Sequence, residues 1–278
     1  MLDGQGLEVS VGNDAAVSAY NKAVTEWLDY KISSMRTLKQ AIELEPDFCI
    51  AHCFRGYLFV TFNSAAVLPA AVASLTKARA LAGTASEREQ RHVAALRHLL
   101  EGAPHRACAC WDEITADYPH DILALRMHHY TCFWSGYRQQ LSALPAAVLP
   151  AWDDTVPHYG NLLGMVAFGL EELGLYDMAE RYGRDAADQN PDDPSQRGLY
   201  SSQIALVRLA ANQLGFSAVK ESKAGRMDED TLKQVVSEVE KVEELVSGLP
   251  VFGTGEAKNV WMEETLSWLS EGDPEDEE

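Results

Sequence analysis

Three clusters of residues in this chain have side chains capable of chemistry, and each falls at helical spacing: Arg88, Glu89 and His92; Asp121, Arg126, His128 and His129; and Asn161, Glu171 and Glu172. If the helices carrying them stand side by side, the clusters converge on one polar groove. Arg126 then offers a bidentate contact to a peptide carboxylate or an acidic side chain. His92 or His128 would serve as a general base, with Glu89 or Glu172 orienting the ring. The competing expectation is structural, with the same residues as ion pairs and caps between neighbouring helices, since Asp and Glu at helix starts are favoured by the dipole alone.

Metal and nucleophile patterns are incomplete. Glu89 and His92 form one Glu-x-x-His, an element that di-iron bundles use twice. Cys49, His52 and Cys53 share a helix face, but no second ligand pair completes a zinc site, and Cys108-x-Cys110 points two ways. Asp117 and His120 flank Pro119 at a helix end. No metal and no cofactor is therefore expected. Nor is there a Gly-x-Ser-x-Gly elbow, a phosphate-binding loop, or a Gly-rich turn after a strand. Gly160, Gly164 and Gly169 lie in a helical pattern and thin it for close packing. Tyr130, Phe133, Trp134 and Tyr137 read most simply as core at helical spacing, with an aromatic lining of the groove as the alternative.

The elements that must position these residues follow a repeat. Ser34, Ala41 and Pro46 return at the spacing of Ala71, Ala78 and Gly83, then Ala107, Ile114 and Pro119, and last Ala179, Ala186 and Pro191. The breakers lie about 36 residues apart, with one doubled step, which is the period of a helical-hairpin array. Five hairpins follow: 14–31 with 35–44, 48–62 with 69–81, 86–101 with 104–118, a fourth from 120 to 135 whose partner is distorted by Pro145 and Pro150, and 159–173 with 176–187. Ser86 with Glu89 forms a capping box, and Gly102 and Gly174 each stand five residues before a small residue, Ala107 or Ala179. Leu38, Leu75 and Trp111 supply bulk toward the neighbouring repeat. Past Pro191 the period stops. Helices over 199–214, 227–247 and 256–269 are expected as a divergent cap over 194–270, followed by an acidic, disordered tail at 271–278. The Val and Leu stripe of 232–246 offers a homodimerisation face.

The formal net charge is -19, and six acidic residues crowd the last eight positions. Such a surface repels phosphate backbones and anionic headgroups, which argues against nucleic acid or a membrane as partner and favours a basic protein patch or a cation. The start, MLDGQGLEVSVG, has neither the basic nor the apolar region of a signal peptide, and the longest apolar run is interrupted by Pro69. Five cysteines, an odd number, argue against a disulfide framework, so a cytoplasmic location is expected.

The strings GLEVSVGNDAAVSAYNKAVTEWLDYK, ELEPDFCIAHCFRGYLFV, TASEREQRHVAAL, WDEITADYPHDILALRMHHYTCFWSG and HYGNLLGMVAFGLEELGLYDMAERYGRDA, in that order, resemble the tetratricopeptide repeat protein 38 family over residues 4 to 193. The resemblance implies an all-helical repeat fold and brings no catalytic residues with it. After the Asn-Pro-Asp turn the chain reads Pro194-Ser195-Gln196-Arg197-Gly198, where family members continue with a Trp- and His-rich helix. The expectation is thus an all-α, right-handed superhelix of tetratricopeptide-like hairpins over 1–193. Its function would be a non-catalytic scaffold that binds a protein or peptide on its concave face through Arg88, Glu89, His92, Asp121, Arg126, His128, Asn161 and Glu172. The alternative is an enzyme with a His and carboxylate site in that groove.

Overall fold

The computed structural model describes residues 1–189 except Tyr30, Ile32 and Asn63, together with positions 228, 230, 231, 233, 234 and 237. Among the described residues the chain is all helical, with no strand longer than an isolated bridge between Leu2 and Glu8. In the unit running from Met1 to Asp192 the helices are α1 (Asp14–Leu28), α2 (Ser34–Leu44), α3 (Cys49–Thr61), α4 (Leu68–Leu81), α5 (Glu87–Leu100), α6 (Pro104–Asp117), α7 (Ile122–Ser135), α8 (Arg138–Val148), α9 (Tyr159–Glu172) and α10 (Tyr176–Asp188). Each helix packs on the next, and α3 also meets α5 while α7 meets α9, so hairpins follow one another in chain order. None of these helices is long and apolar enough to cross a membrane.

Local chemistry sets the helix ends. Asn13 accepts from the N–H groups of Ala15 and Ala16 at the start of α1, Pro104 occupies the first turn of α6, and Ser86 and Glu89 complete the expected capping box on α5. The odd-numbered helices α5, α7 and α9 end in one repeated turn. Gly102, Gly136 and Gly174 all adopt a positive φ of 71–76°. In each case the next residue donates back five positions, Ala103 to His98 O at 2.9 Å, Tyr137 to Cys132 O at 2.8 Å and Leu175 to Leu170 O at 2.9 Å, closing a Schellman motif.

That turn places the partner helices in register. Counting five residues on from each glycine reaches Ala107, Leu141 and Ala179, and seven more reaches Ile114, Val148 and Ala186. Leu141 and Val148 are buried, so the fourth hairpin keeps the repeat with larger residues at its small positions, and α8 runs through Pro145 without breaking. Close approach falls at Gly169 on α9, where a Cβ would stand 2.7 Å from the Ser142 Cα of α8. Trp111, Leu38 and Leu75 are buried as expected, alongside Tyr57, Phe48 and Phe54.

In the second unit, Asp193–Glu264, the described positions 230, 231, 233, 234 and 237 are helical and exposed, and Asp228 Oδ1 accepts from the Thr231 N–H at 2.8 Å. The expected helices over 199–214 and 256–269, most of the one over 227–247 with its dimerisation stripe, and the acidic tail lie outside the described residues.

Candidate functional site

Arg88 and His92 are four residues apart on α5, so their side chains leave the same face. Both point at the start of α7, where Asp121 is the N-cap, its Oδ1 accepting from the Ala124 N–H at 2.8 Å. The other carboxylate oxygen, Oδ2, accepts from Arg88 Nη1 at 2.8 Å and from His92 Nε2 at 3.0 Å. A carboxylate only accepts, which fixes the proton on Nε2. His92 Nδ1 lies 3.1 Å from the Tyr57 hydroxyl of α3, which donates to the His92 carbonyl at 2.9 Å and accepts from Trp111 Nε1 of α6 at 3.3 Å. One hydrogen-bonded chain thus joins α3, α5, α6 and α7.

The chain of contacts ends on the first ten residues. Arg88 Nη2 donates to Asp3 Oδ2 and to the Glu8 carbonyl, both at 3.1 Å. Asp3 Oδ1 accepts from the N–H groups of Gln5 and Leu7 at 3.0 and 2.9 Å, folding the segment into a compact loop with Gly6 at a φ of 75°. Ser10 Oγ donates to Glu89 Oε2 at 2.5 Å and accepts from the Ser86 N–H at 2.7 Å. Gln5 Nε2 reaches the Pro157 carbonyl at 3.0 Å, and the Gly4 N–H reaches Asn21 Oδ1 at 2.9 Å. The amino-terminal segment therefore covers the polar faces of α5 and α7.

Burial makes these contacts electrostatically costly to break. The side chains of Arg88 and Asp121 are 3% and 1% exposed. Burial alone would raise the Asp121 carboxyl, but His92, Arg88 and the Ala124 N–H together hold it well below the usual carboxylate range. Asp3 is pushed up by burial, against the pull of Arg88. Tyr57 is also pushed up by burial and keeps its proton.

Of the residues expected to line a groove, Arg88, Glu89, His92 and Asp121 are brought together, but buried beneath the chain's own first residues rather than open to a partner. His92 is oriented by Asp121, and both of its ring nitrogens have neighbours in the buried network, so it is not presented to solvent as a base. His128 is buried two turns along α7 from Asp121, facing α6, where Cys108, Cys132 and His128 place their ligand atoms within 4.8 Å of one another. Burial lowers the His128 imidazole to about 4, so the ring is neutral at pH 7. The Cys132 thiol is held up by the hydrogen bond with Cys108 and by burial. Arg126 lies over the Trp27 ring, 6.0 Å from its centroid. Asn161 is buried in the first turn of α9, and Glu172 is half-buried at its end.

Two other expectations resolve differently. Cys49, His52 and Cys53 do not gather as ligands: His52 Nε2 bonds the Pro46 carbonyl at 2.8 Å and Cys49 Sγ the Ala78 carbonyl at 3.6 Å. Trp134, expected in the core, is 63% exposed, with Tyr130 and Phe133 rings beside it at 6.1 and 5.4 Å. Phe133 in turn contacts Phe168 of α9 at 5.3 Å, and Glu171 and Glu172 follow one turn further along α9. No family model matches the chain, and no solved structure matches it.

Proposed function

We propose that this chain is a non-catalytic, tetratricopeptide-like scaffold of right-handed stacked hairpins that binds a protein segment, and that the binding surface is centred on Trp134. The exposure of Trp134 carries the reading. A large aromatic side chain left in solvent beside two further rings is the composition of an interface hot spot. Arg88, Glu89, His92 and Asp121, which could have served a substrate, are consumed inside the chain, which moves the weight from chemistry to recognition. Half-buried Glu171 and Glu172 beyond Phe168, with the net charge of -19, favour a basic partner segment with an apolar anchor. The period of the hairpins and the likeness of residues 4 to 193 to the tetratricopeptide repeat protein 38 family support the same architecture. Reduced cysteines, all five without a disulfide, suit a cytoplasmic scaffold.

Affinity capture from lysate with the full chain, scored by quantitative mass spectrometry, tests this. Proteins retained by the wild type should be lost with Trp134→Ala and weakened by added salt or by Glu171→Gln with Glu172→Gln. Equal retention by the Trp134→Ala variant, or no retained protein at all, would overturn the proposal.

A further inference from the structure

We infer that Cys108, His128 and Cys132 form a three-ligand binding site for zinc that staples α6 to α7, with the Asp112 carboxylate beside His128 as its outer partner. His128 and Cys132 are four residues apart on α7 and offer two ligands from one face, Cys108 of α6 offers the third, and Asp112 follows Cys108 by one turn.

The distances agree with an ion at the centre. With bonds of about 2.3 Å to sulfur, about 2.05 Å to nitrogen and about 2.1 Å to oxygen, a zinc tetrahedron has S···S, S···N and N···O edges of about 3.8, 3.6 and 3.4 Å. The corresponding S···S and S···N separations are 3.8 Å for Cys108 Sγ to Cys132 Sγ, and 3.7 and 3.6 Å for Cys132 Sγ to Nδ1 and Nε2 of His128, while Asp112 Oδ1 stands 3.3 Å from Nε2. The ligand atoms of Cys108, His128 and Cys132 all lie within 4.8 Å of one another, and apolar packing does not require thiols and an imidazole to meet there.

The surroundings fit the same use. Cys108, His128 and Cys132 are buried, whereas the Asp112 side chain is 55% exposed, so an ion reaches the site past the carboxylate. His128 is neutral at pH 7 and has a lone pair to give. Binding converts the two thiols to thiolates, with two protons released to solvent. Three protein ligands leave the fourth position to a water or to the Asp112 carboxylate.

Cobalt(II) titration of the reduced, chelator-treated full chain reads the ligand set directly. One equivalent should give a thiolate-to-cobalt charge-transfer band with intense tetrahedral d–d bands, and zinc should abolish both. Cys132→Ser should remove the charge-transfer intensity, while Cys49→Ser and Cys53→Ser leave it intact. Asp112→Asn lies at the surface and leaves the fold unchanged by circular dichroism, yet should weaken cobalt by at least the about tenfold that loss of even an outer-sphere partner costs. Three results would each overturn the inference: no stoichiometric cobalt, cobalt bound without thiolate bands, or Asp112→Asn indistinguishable from wild type.

Discussion

Replacing Asp121 with Asn tests the buried network most directly. Asn keeps an oxygen for the Ala124 N–H, so the N-cap of α7 and its roughly 1 kcal/mol survive. It loses the charge facing Arg88 and turns an NH2 toward two donors, Arg88 Nη1 and His92 Nε2. Removing one partner of a buried ion pair costs about 3–5 kcal/mol. Arg88 keeps Asp3 at 3.1 Å, which places Asp121→Asn near the lower end, about 3 kcal/mol. Arg88→Met should cost a similar amount, because Asp3 and Asp121 then share a dry site without the cation. The double variant should lose about 4 kcal/mol rather than the sum, a coupling of about 2 kcal/mol. Urea unfolding at pH 7, followed by circular dichroism and tryptophan fluorescence, measures all corners of the cycle. A folded-state carboxyl held below its unfolded value stabilises fully above the unfolded pKa of about 3.9 and loses that contribution as pH falls toward the folded value. The wild type's advantage over Asp121→Asn should therefore be flat from about pH 5 to 8 and shrink below about pH 4. Additivity within about 0.5 kcal/mol would refute a coupled buried pair.

Three further substitutions probe the elements around it. Gly136→Ala forces a Cβ into the left-handed region and should cost about 1 kcal/mol in urea unfolding, with Gly136→Asn costing less. Gly169→Ala drives a Cβ to 2.7 Å from the Ser142 backbone and should cost about 1–3 kcal/mol through separation of α8 from α9, seen as a lowered thermal midpoint. Ser10→Ala removes a donor to Glu89 and an acceptor for Ser86 but no core contact, so amide exchange over residues 3–10 should quicken while the global unfolding midpoint moves little.

The helices were legible because their ends carry chemistry that acts locally. Glycine at C′ and Pro104 at a first turn act through their own backbone torsions, and Ser86 with Glu89 acts within one turn, so residue type and spacing suffice. The fourth hairpin was obscured by a rule that was too narrow: position relative to Gly136 persists, but Leu141 and Val148 fill it with bulk. The polar cluster was half legible. Helical spacing shows that Arg88 and His92 share a face but not what covers that face, and the cover is a segment without periodicity. Its sequence signal is the Asp3-Gly4-Gln5-Gly6 turn, in which Asp3 bonds two backbone N–H groups. The cysteine cluster was hidden because its ligands are separated by a helical turn and a loop. Cys49, His52 and Cys53 are the more compact pattern on paper, yet backbone carbonyls take up His52 and Cys49.

Apolar contact alone leaves a repeat array a degeneracy problem, since hairpins with similar small positions present similar faces to one another. Polar ties remove that degeneracy, because a buried donor placed one turn out of register loses its acceptor at a cost of about 1–3 kcal/mol. In this chain the ties sit where neighbouring hairpins meet: Tyr57 to His92 between the second and third, and Arg88 and His92 to Asp121 between the third and fourth. The ligand set of Cys108, His128 and Cys132 spans that same third-to-fourth junction further along α7, where Asp121 caps the helix and His128 lies two turns on. The third-to-fourth junction is thereby held twice, by charge between α5 and the start of α7 and by ligand chemistry between α6 and α7. A rigid α7 is also what a recognition surface built on Trp134, in its last turn, requires, because an anchor side chain contributes most when the helix carrying it is already ordered.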